Sequence, residues 1–334
     1  MSPRRARSYD ESDARVRPGP ASRPRTKVRP AHADAVPGRV LTVDRGRYTC
    51  LVEDRSVAAM KARELGRQGV VVGDAVGLVG DVSGDEGALA RVVRVEPRRT
   101  VLRRTADDDD PVERVLVANA EQLVIVTALA EPEPSHRLVD RCLVAAYDAG
   151  LQPLLCLTKA DLAEPTPLLE AYAPLGVPAV VTRRDRERAG LDELVGWLQG
   201  RVSVLVGRSG VGKSTLVNSL VPGAHRAVGQ VNAVTGRGRH TSTSALALPL
   251  PGGGWVVDTP GVRSFGLAHV DPRRLLRAFP DLAAASDSCP RGCTHAGTEP
   301  ECALDEAAAA GQVSSARLVS YRRLIEARER REGD

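Results

Sequence analysis

The sequence contains no apolar run that approaches the roughly 18 residues a membrane-spanning helix needs. Its basic N-terminus is not followed by the apolar segment of a secretory signal. Charged residues make up 27% of the chain and apolar residues 42%. These features exclude a transmembrane protein and favour a soluble cytoplasmic protein with a hydrophobic core. We expect a monomer with no membrane partner.

Lysine is scarce. Of the 47 Lys and Arg residues, only Lys27, Lys61, Lys159 and Lys213 are lysines. Two of these four lie in short motifs that resemble nucleotide-binding sequences. A lysine ammonium is a compact charge that arginine does not replace geometrically. We therefore interpret Lys159 and Lys213 as functionally required.

Aromatic residues are also rare, at 3% of the chain, and Tyr48 is the only one between residues 38 and 105. About five short β-like runs in this segment predict a small barrel, either an OB-fold or an SH3-like barrel. With one aromatic ring, stacking on nucleic-acid bases would be poor. Contact with phosphates through arginine is more plausible. The candidate arginines are Arg98, Arg99, Arg103 and Arg104.

Positive charge is concentrated toward the N-terminus. Residues 1–35 hold nine Arg or Lys against four Asp or Glu, and residues 36–104 hold thirteen against nine, while the chain's net charge is +5. The remaining residues are therefore net negative by about 4. We expect a polyanion to bind the N-terminal third, the alternative being a tail that only aids solubility. Residues 1–36 are interpreted as a disordered basic tail.

After an acidic linker at residues 106–111, apolar strands alternate with amphipathic helices. This alternation predicts an α/β fold with a mostly parallel sheet and helices on both faces. Such sheets bind ligands at the carboxyl ends of their strands. The predicted division is a tail at 1–36, a small-barrel domain at 37–105, an α/β domain at 112–268 and a helical domain at 269–334.

The sequence GRSGVGKS, residues 207–214, fits the phosphate-loop pattern G-x-x-x-x-G-K-[ST] and lies between an apolar strand and a helix. Lys213 would reach the β- and γ-phosphates, and the Ser214 hydroxyl would bind Mg²⁺. The loop alone does not distinguish ATP from GTP. The expected nucleotide contacts are Gly207, Arg208, Ser209, Gly210, Val211, Gly212, Lys213, Ser214 and Thr215.

The motif TKAD, Thr158 to Asp161, ends another predicted strand. Its Asp161 carboxylate would accept two hydrogen bonds from guanine, whereas adenine would leave that carboxylate unpaired. The stem of Lys159 would cover the base. Thr158, Ala160 and, in a second base loop, Thr182 complete the expected base site.

The motif DTPG follows a third apolar strand. Asp258 would hold Mg²⁺ through water, and the Gly261 N–H would sense the γ-phosphate. The motif order is base, then phosphate, then DTPG. A parallel sheet fixes where loops lie but not the order in which they are connected. The order therefore predicts a circularly permuted GTPase.

Three cysteines, Cys50, Cys142 and Cys156, are scattered and are expected to be buried small hydrophobes. The other three are clustered with a histidine in a C-x3-C-x-H-x6-C pattern. Four such ligands within fourteen residues suit a closed tetrahedral structural zinc site, the alternative being free thiols. The ligands would be Cys289, Cys293, His295 and Cys302. A following Arg-rich helix could contact RNA, although a solvated face is the simpler interpretation.

Three further segments add to these motifs, namely GRGRHTSTS before DTPG, DTPGVRSFG, and EPECAL around Cys302. With all of these motifs, the sequence from about residue 37 to the end resembles the ribosome small-subunit-dependent GTPase A family (RsgA, YjeQ). The resemblance implies an OB-fold, a permuted GTPase domain and a zinc domain. It implies a GTPase that binds GTP/GDP, Mg²⁺ and one zinc ion, contacts small-subunit rRNA and acts in late maturation of the small ribosomal subunit.

The resemblance also places switch I at RHTST, where Thr241 or Ser242 would reach Mg²⁺ and the γ-phosphate. Val262 stands where many GTPases carry a water-orienting Gln, so His240 becomes the candidate catalytic residue beside Lys213. A structural histidine is the alternative. Thr158 stands where Asn is usual, which predicts weaker nucleotide binding. Thr182 matches its motif weakly, and the cysteine spacing also departs from the family pattern.

Three functions compete at this point. The first is a GTP-hydrolysing assembly factor stimulated by the small ribosomal subunit. The second is a non-hydrolysing, GTP-switched rRNA-binding adaptor. The third is an ATPase in which TKAD is accidental.

Overall fold

The computed structural model describes residues 32–66, 68–104, 113–185, 188–224, 245–259, 267 and 270–329. The predicted tail up to residue 31 and the acidic linker at 106–111 lie outside these residues. Within the described part, no helix is long and apolar enough to cross a bilayer. The predicted domain boundaries stay a prediction, although the elements follow that order and the first strand already begins at Val36.

Five short strands close into a barrel at the N-terminal side. They are β1 (Val36–Asp44), β2 (Arg47–Val52), β3 (Arg55–Lys61), β4 (Ala75–Gly80) and β5 (Ala90–Val95). The pairing order is β1–β2–β3–β5–β4, and β4 returns to β1. The β3–β5 contact is parallel and the others are antiparallel. This closure confirms the OB-fold and removes the free sheet edges.

A buried ion pair stabilises the end of the barrel. The Asp74 side chain is fully buried and accepts two hydrogen bonds from Arg98, from Nε at 2.7 Å and from Nη2 at 2.8 Å. The Val71 N–H donates a third at 2.8 Å. Arg98, a candidate phosphate contact, is thus used inside the fold. Arg99 and Arg103 also face carboxylates, Glu121 at 3.9 Å and Glu113 at 2.6 Å.

Replacing Arg98 by Ala is expected to lower the free energy of unfolding by about 3 kcal/mol, because it leaves a buried carboxylate without its cation. Urea unfolding followed by circular dichroism measures the change. The control is Arg55→Ala, whose exposed pair with Glu53 is expected to contribute less than about 1 kcal/mol. Equal effects of the two substitutions would contradict a structural role for the Arg98 pair.

The α/β part contains eight further strands among the described residues. They are β6 (Val101–Arg104), β7 (Arg114–Ala118), β8 (Gln122–Ala128), β9 (Gln152–Thr158), β10 (Ala179–Val181), β11 (Val202–Val206), β12 (Leu246–Pro249) and β13 (Trp255–Asp258). Strands β6 and β7 form a separate pair. The main sheet runs β10–β9–β8–β11–β13 in parallel, and antiparallel β12 joins it to the barrel through Thr42 and Leu246.

Helices cover both faces of this sheet, as the alternation predicted. Leu123 and Ile125 of β8 belong to one apolar cluster, and Val124 and Val126 belong to another. Alternate residues of a strand point to opposite faces. The α-helices among the residues that the structure describes are α1 (His136–Asp148), α2 (Thr166–Tyr172), α3 (Leu191–Leu198), α4 (Lys213–Leu220), α5 (Pro272–Arg277), α6 (Pro280–Ser286), α7 (Ala303–Ala309) and α8 (Ser315–Glu329).

The Arg-rich helix α8 packs one side into the fold, while Val319 and Glu326 on its other side are exposed. Tyr321 and Leu324 are fully buried, and the Arg141 guanidinium of α1 donates to the Ala327 carbonyl of α8 at 3.1 Å. Several of the rare aromatic rings meet here. Phe279 contacts Tyr147 and Tyr321 edge to face, with centroids 5.1 and 5.6 Å apart. The C-terminal helices are therefore docked on α1.

Candidate functional site

The loop between β11 and α4 has the geometry of a phosphate cradle. Gly210 and Gly212 have φ of 83° and 94°, a region that side chains rarely adopt. A Cβ on Gly207 would lie 2.4 Å from the Val126 carbonyl oxygen. The loop therefore needs glycine for conformation and for close approach to β8. It leads into the N-terminus of α4, where backbone N–H groups favour an anion.

Lys213 connects this loop to the end of β13. Its Nζ donates to the Thr259 carbonyl at 2.8 Å and lies 3.2 Å from Asp258 Oδ1. The Thr259 hydroxyl donates to the Leu205 carbonyl at 2.7 Å and fixes the turn. Asp258 Oδ1 is buried, and apart from its ion pair with Lys213 it makes no hydrogen bond. Asp258 and Ser214 line the same cavity, and their carboxylate and hydroxyl oxygens are the hard donors that Mg²⁺ prefers.

A cavity of about 560 Å³ runs from this loop to the base motif, a volume that suits a nucleotide. The structure brings most of the predicted nucleotide contacts to it. Those that line it are Thr158, Lys159, Thr182, Gly207, Arg208, Ser209, Gly210, Gly212, Lys213, Ser214, Thr215 and Asp258. Val211 lies in the same loop but is buried, at 3% exposure.

Thr158 joins the base motif to the phosphate loop. Its buried hydroxyl donates to the Val211 carbonyl at 2.6 Å. A Cβ on Gly212 would lie 3.8 Å from the same hydroxyl. Weaker nucleotide binding was predicted because Thr158 replaces an Asn whose side-chain amide would connect the loops around the base. In the structure the Thr158 hydroxyl connects β9 to the phosphate loop through its hydrogen bond with Val211.

Replacing Thr158 by Val keeps the shape but leaves the buried Val211 carbonyl without its donor, a penalty of about 1–3 kcal/mol. We expect GTP affinity to fall about 10-fold, measured by titration of a fluorescent GTP analogue. Thr158→Ser, which retains the hydroxyl, is the control and should stay near wild type. If the Thr158→Val and Thr158→Ser proteins bound GTP equally well, the hydrogen bond between Thr158 and Val211 would not contribute to GTP binding.

The remaining base-motif residues are held by their neighbours. Lys159 Nζ donates to the Glu131 carbonyl of the β8–α1 loop. The Arg184 N–H donates to Asp161 Oδ1 at 3.2 Å. Ala160 N–H donates to the Thr182 carbonyl at 3.3 Å. The Asp161 carboxylate is thus positioned by a backbone amide of the second base loop.

Sequence reasoning missed several residues around this cavity. Arg184 is one of them, because its N–H makes the contact between the second base loop and Asp161. Thr182, the predicted residue of this loop, lines the cavity, and its hydroxyl donates to the Leu157 carbonyl. Thr259 was missed because its contribution comes from its backbone carbonyl. Backbone contributions leave no side-chain pattern to detect. Additional lining residues are Arg183, Arg184, Arg188, Ala189, Leu191, Leu216 and Ser219.

Part of the predicted site lies outside the described residues. This part contains the candidate catalytic residue His240 and the switch residues Thr241 and Ser242. It also contains Gly261 and Val262 of the DTPG region. Their predicted roles stay predictions.

The clustered cysteines and histidine come together beside α7. His295 Nδ1 lies 3.6, 3.5 and 3.8 Å from the sulfurs of Cys289, Cys293 and Cys302, and all four ligand atoms fall within 4.8 Å. A tetrahedral zinc ion with ordinary bond lengths requires ligand atoms about 3.6 Å apart. The cluster therefore fits zinc. The other thiols, Cys50, Cys142 and Cys156, are buried, and burial raises the pKa of each to about 12.

Comparison with known proteins matches this architecture. The model of the RsgA GTPase family matches residues 95–268. The small ribosomal subunit biogenesis GTPase RsgA of Pseudomonas aeruginosa strain LESB58 is 42% identical over 250 residues, covering 73% of this chain and 72% of that protein. RsgA 1 of Vibrio vulnificus strain YJ016 is 37% identical over 284 residues, covering 82% and 79%.

Two solved structures share the fold. The crystal structure of YjeQ from Thermotoga maritima superposes with a TM-score of 0.65 at 27% identity, covering 88% of this chain and 99% of that one. YloQ, described as a circularly permuted GTPase, gives 0.63 at 24% identity, covering 91% and 99%. The permuted motif order deduced from TKAD and GRSGVGKS is that of a known fold.

Proposed function

This chain belongs to the RsgA GTPase family and is a GTP hydrolase, and from that premise we propose that it acts in late maturation of the small ribosomal subunit. The observation that supports the proposal best is the Lys213–Asp258–Thr259 arrangement at the end of a cavity that also reaches TKAD. The relatives that share this organisation are named small ribosomal subunit biogenesis GTPases.

The chain's own residues would divide the work on GTP. Lys213 would neutralise charge on the β- and γ-phosphates, and the loop N–H groups would hold their oxygens. Asp161, with Lys159 and Ala160 beside it, would select guanine. His240 would orient the attacking water, and Thr241 and Gly261 would contact the γ-phosphate. Ser214 and Asp258 would hold Mg²⁺, which when bound neutralises phosphate charge.

Neither a Gln at position 262 nor an arginine finger is evident in the sequence, so basal hydrolysis should be slow. Binding of the small subunit and its rRNA would order the catalytic residues. We propose the barrel as the rRNA-contacting domain and a monomeric, cytoplasmic protein. Since Arg98 is used inside the barrel, contacts with phosphates would come from other basic residues, such as exposed Arg47 and Arg91.

The test is phosphate release from GTP and from ATP, with and without purified small ribosomal subunits. Large stimulation specific to GTP is expected. GTP binding without hydrolysis, even on subunits, would favour the rRNA-binding adaptor, and equal use of ATP would favour the ATPase. Full activity without subunits would reject the assembly role.

We further propose that Cys289, Cys293, His295 and Cys302 hold one structural zinc ion. Purified protein should contain about one zinc per chain. Cys289→Ala should lose most of it and should make the C-terminal helices sensitive to protease. Cys50→Ala, in the barrel core, is the control for loss of a thiol. An unchanged zinc content in Cys289→Ala would reject this ligand set.

A further inference from the structure

We infer that Arg322 of α8 is a positioning residue that holds the two halves of the metal-ligand set together. Its Nε donates to the His295 carbonyl at 3.1 Å. Its Nη1 and Nη2 donate to the two Asp305 carboxylate oxygens, both at 2.7 Å. The inference rests on the proposed zinc site and concerns a residue beyond the four ligands.

The two partners of Arg322 belong to different parts of the cluster. His295 lies in the loop that also carries Cys289 and Cys293, whereas Asp305 is in the first turn of α7, directly after Cys302. One planar guanidinium therefore connects the loop with three ligands to the helix with the fourth. Bidentate arginine–carboxylate pairs are directional, so this contact fixes orientation as well as distance.

His295 needs such support because its backbone has φ of 60°, which is unfavourable for a residue with a side chain. A hydrogen bond to its carbonyl stabilises that conformation and keeps Nδ1 directed at the three sulfurs. Partners behind the ligands commonly have this orienting function in metal sites. The Arg322 side chain is only 17% exposed while the Asp305 side chain is 50% exposed, so the contact with His295 is better shielded from water than the contact with Asp305.

Charge supports the same assignment. Three thiolates and a neutral histidine around a divalent ion leave a net charge of −1, which a nearby cation offsets. The pKa of Arg322 is raised, mainly by its hydrogen bonds with Asp305 and also by Cys302.

The neighbouring residue provides a matched comparison. Arg323 is on the same helix but contacts the GTPase side, with Nε 3.1 Å from Asp140 Oδ2 of α1 and its guanidinium 4.9 Å from the Tyr172 ring centre. Removing Arg323 should weaken helix docking without touching the metal ligands. Removing Arg322 should affect the metal ligands directly.

The experiment measures the zinc dissociation constant of the full-length chain by competition with a chromophoric chelator. Arg322→Ala is expected to weaken zinc binding by about 10- to 100-fold. Asp305→Asn, which removes the anchor but keeps the shape, is expected to weaken it by about 10-fold. Arg323→Ala is expected to remain within about 2-fold of wild type. Cobalt absorption spectra of the same variants report distortion of the tetrahedral site.

Wild-type affinity in both Arg322→Ala and Asp305→Asn would overturn the inference while leaving the zinc assignment intact. Equal losses in Arg322→Ala and Arg323→Ala would also overturn it, because the effect would then come from helix docking. A wild-type chain that binds no zinc would overturn the zinc proposal itself. If Arg322→Ala does not fold, Asp305→Asn decides the outcome.

Discussion

Lys213→Ala is expected to lower kcat/KM for GTP hydrolysis by about 100- to 1000-fold, the usual cost of removing a charged group aimed at the reacting phosphates. The geometry explains the size of the effect. The Lys213 ammonium is only 11% exposed and is held by the Thr259 carbonyl, so it is positioned before any ligand arrives. Little reorganisation is needed when a phosphate binds.

The substitution also leaves the Asp258 carboxylate beside the phosphates without its cation, which would repel the anionic ligand. Phosphate release in the absence of subunits measures the loss. Lys61→Ala is the control, since Lys61 is a barrel residue whose ammonium donates to the Gly66 and Gln68 carbonyls. Basal hydrolysis that is equal in the two variants would refute the phosphate-binding role of Lys213.

Asp161→Asn is expected to weaken GTP affinity by about 100-fold, because two charge-assisted hydrogen bonds to guanine are lost. Binding of xanthosine triphosphate should increase, since xanthine presents a carbonyl where guanine has an amine and an Asn amide can donate to it. The change should not disturb the loop, because an Asn carbonyl oxygen can still accept from the Arg184 N–H. Competition titrations with GTP, ATP and xanthosine triphosphate measure the preference.

Asp185→Asn is the matched control for that experiment. Asp185 lies in the same base loop, but its carboxylate pairs with the Arg183 guanidinium at 2.8 Å. Its nucleotide preference should match that of wild type. An Asp161→Asn protein that still preferred GTP would mean that another group reads the base.

The central sheet and its motifs could be predicted from sequence because local rules determine them. Runs such as Gln122–Ala128 and Val202–Val206 are mostly apolar and fully buried. The glycines of the phosphate loop adopt backbone conformations that residues with side chains rarely adopt. The permutation followed from motif order alone. The family comparisons confirm this part of the fold.

Contacts between distant segments could not be predicted in this way. The pairing of Thr42 with Leu246, which joins the barrel to the sheet, depends on two edges that have no common sequence pattern. Arg98 looked available for phosphates because its partner Asp74 lies 24 residues away. Helix α8 looked solvated because arginine is frequent in its sequence, although apolar residues outnumber the arginines. In the structure Arg322 and Arg323 are bound by carboxylates on either side.

The docking of α8 on α1 has a consequence for synthesis of the chain. Arg141 and the Ala327 carbonyl that it contacts are 186 residues apart in sequence. The ribosome therefore synthesises the barrel, the base motif and the phosphate loop before it synthesises α8, the helix that packs on α1. Until then the apolar side of α1 has no partner from α8, and a nascent chain at this stage exposes surface that chaperones can bind. Docking of α8 on α1 must therefore wait until that helix has been synthesised.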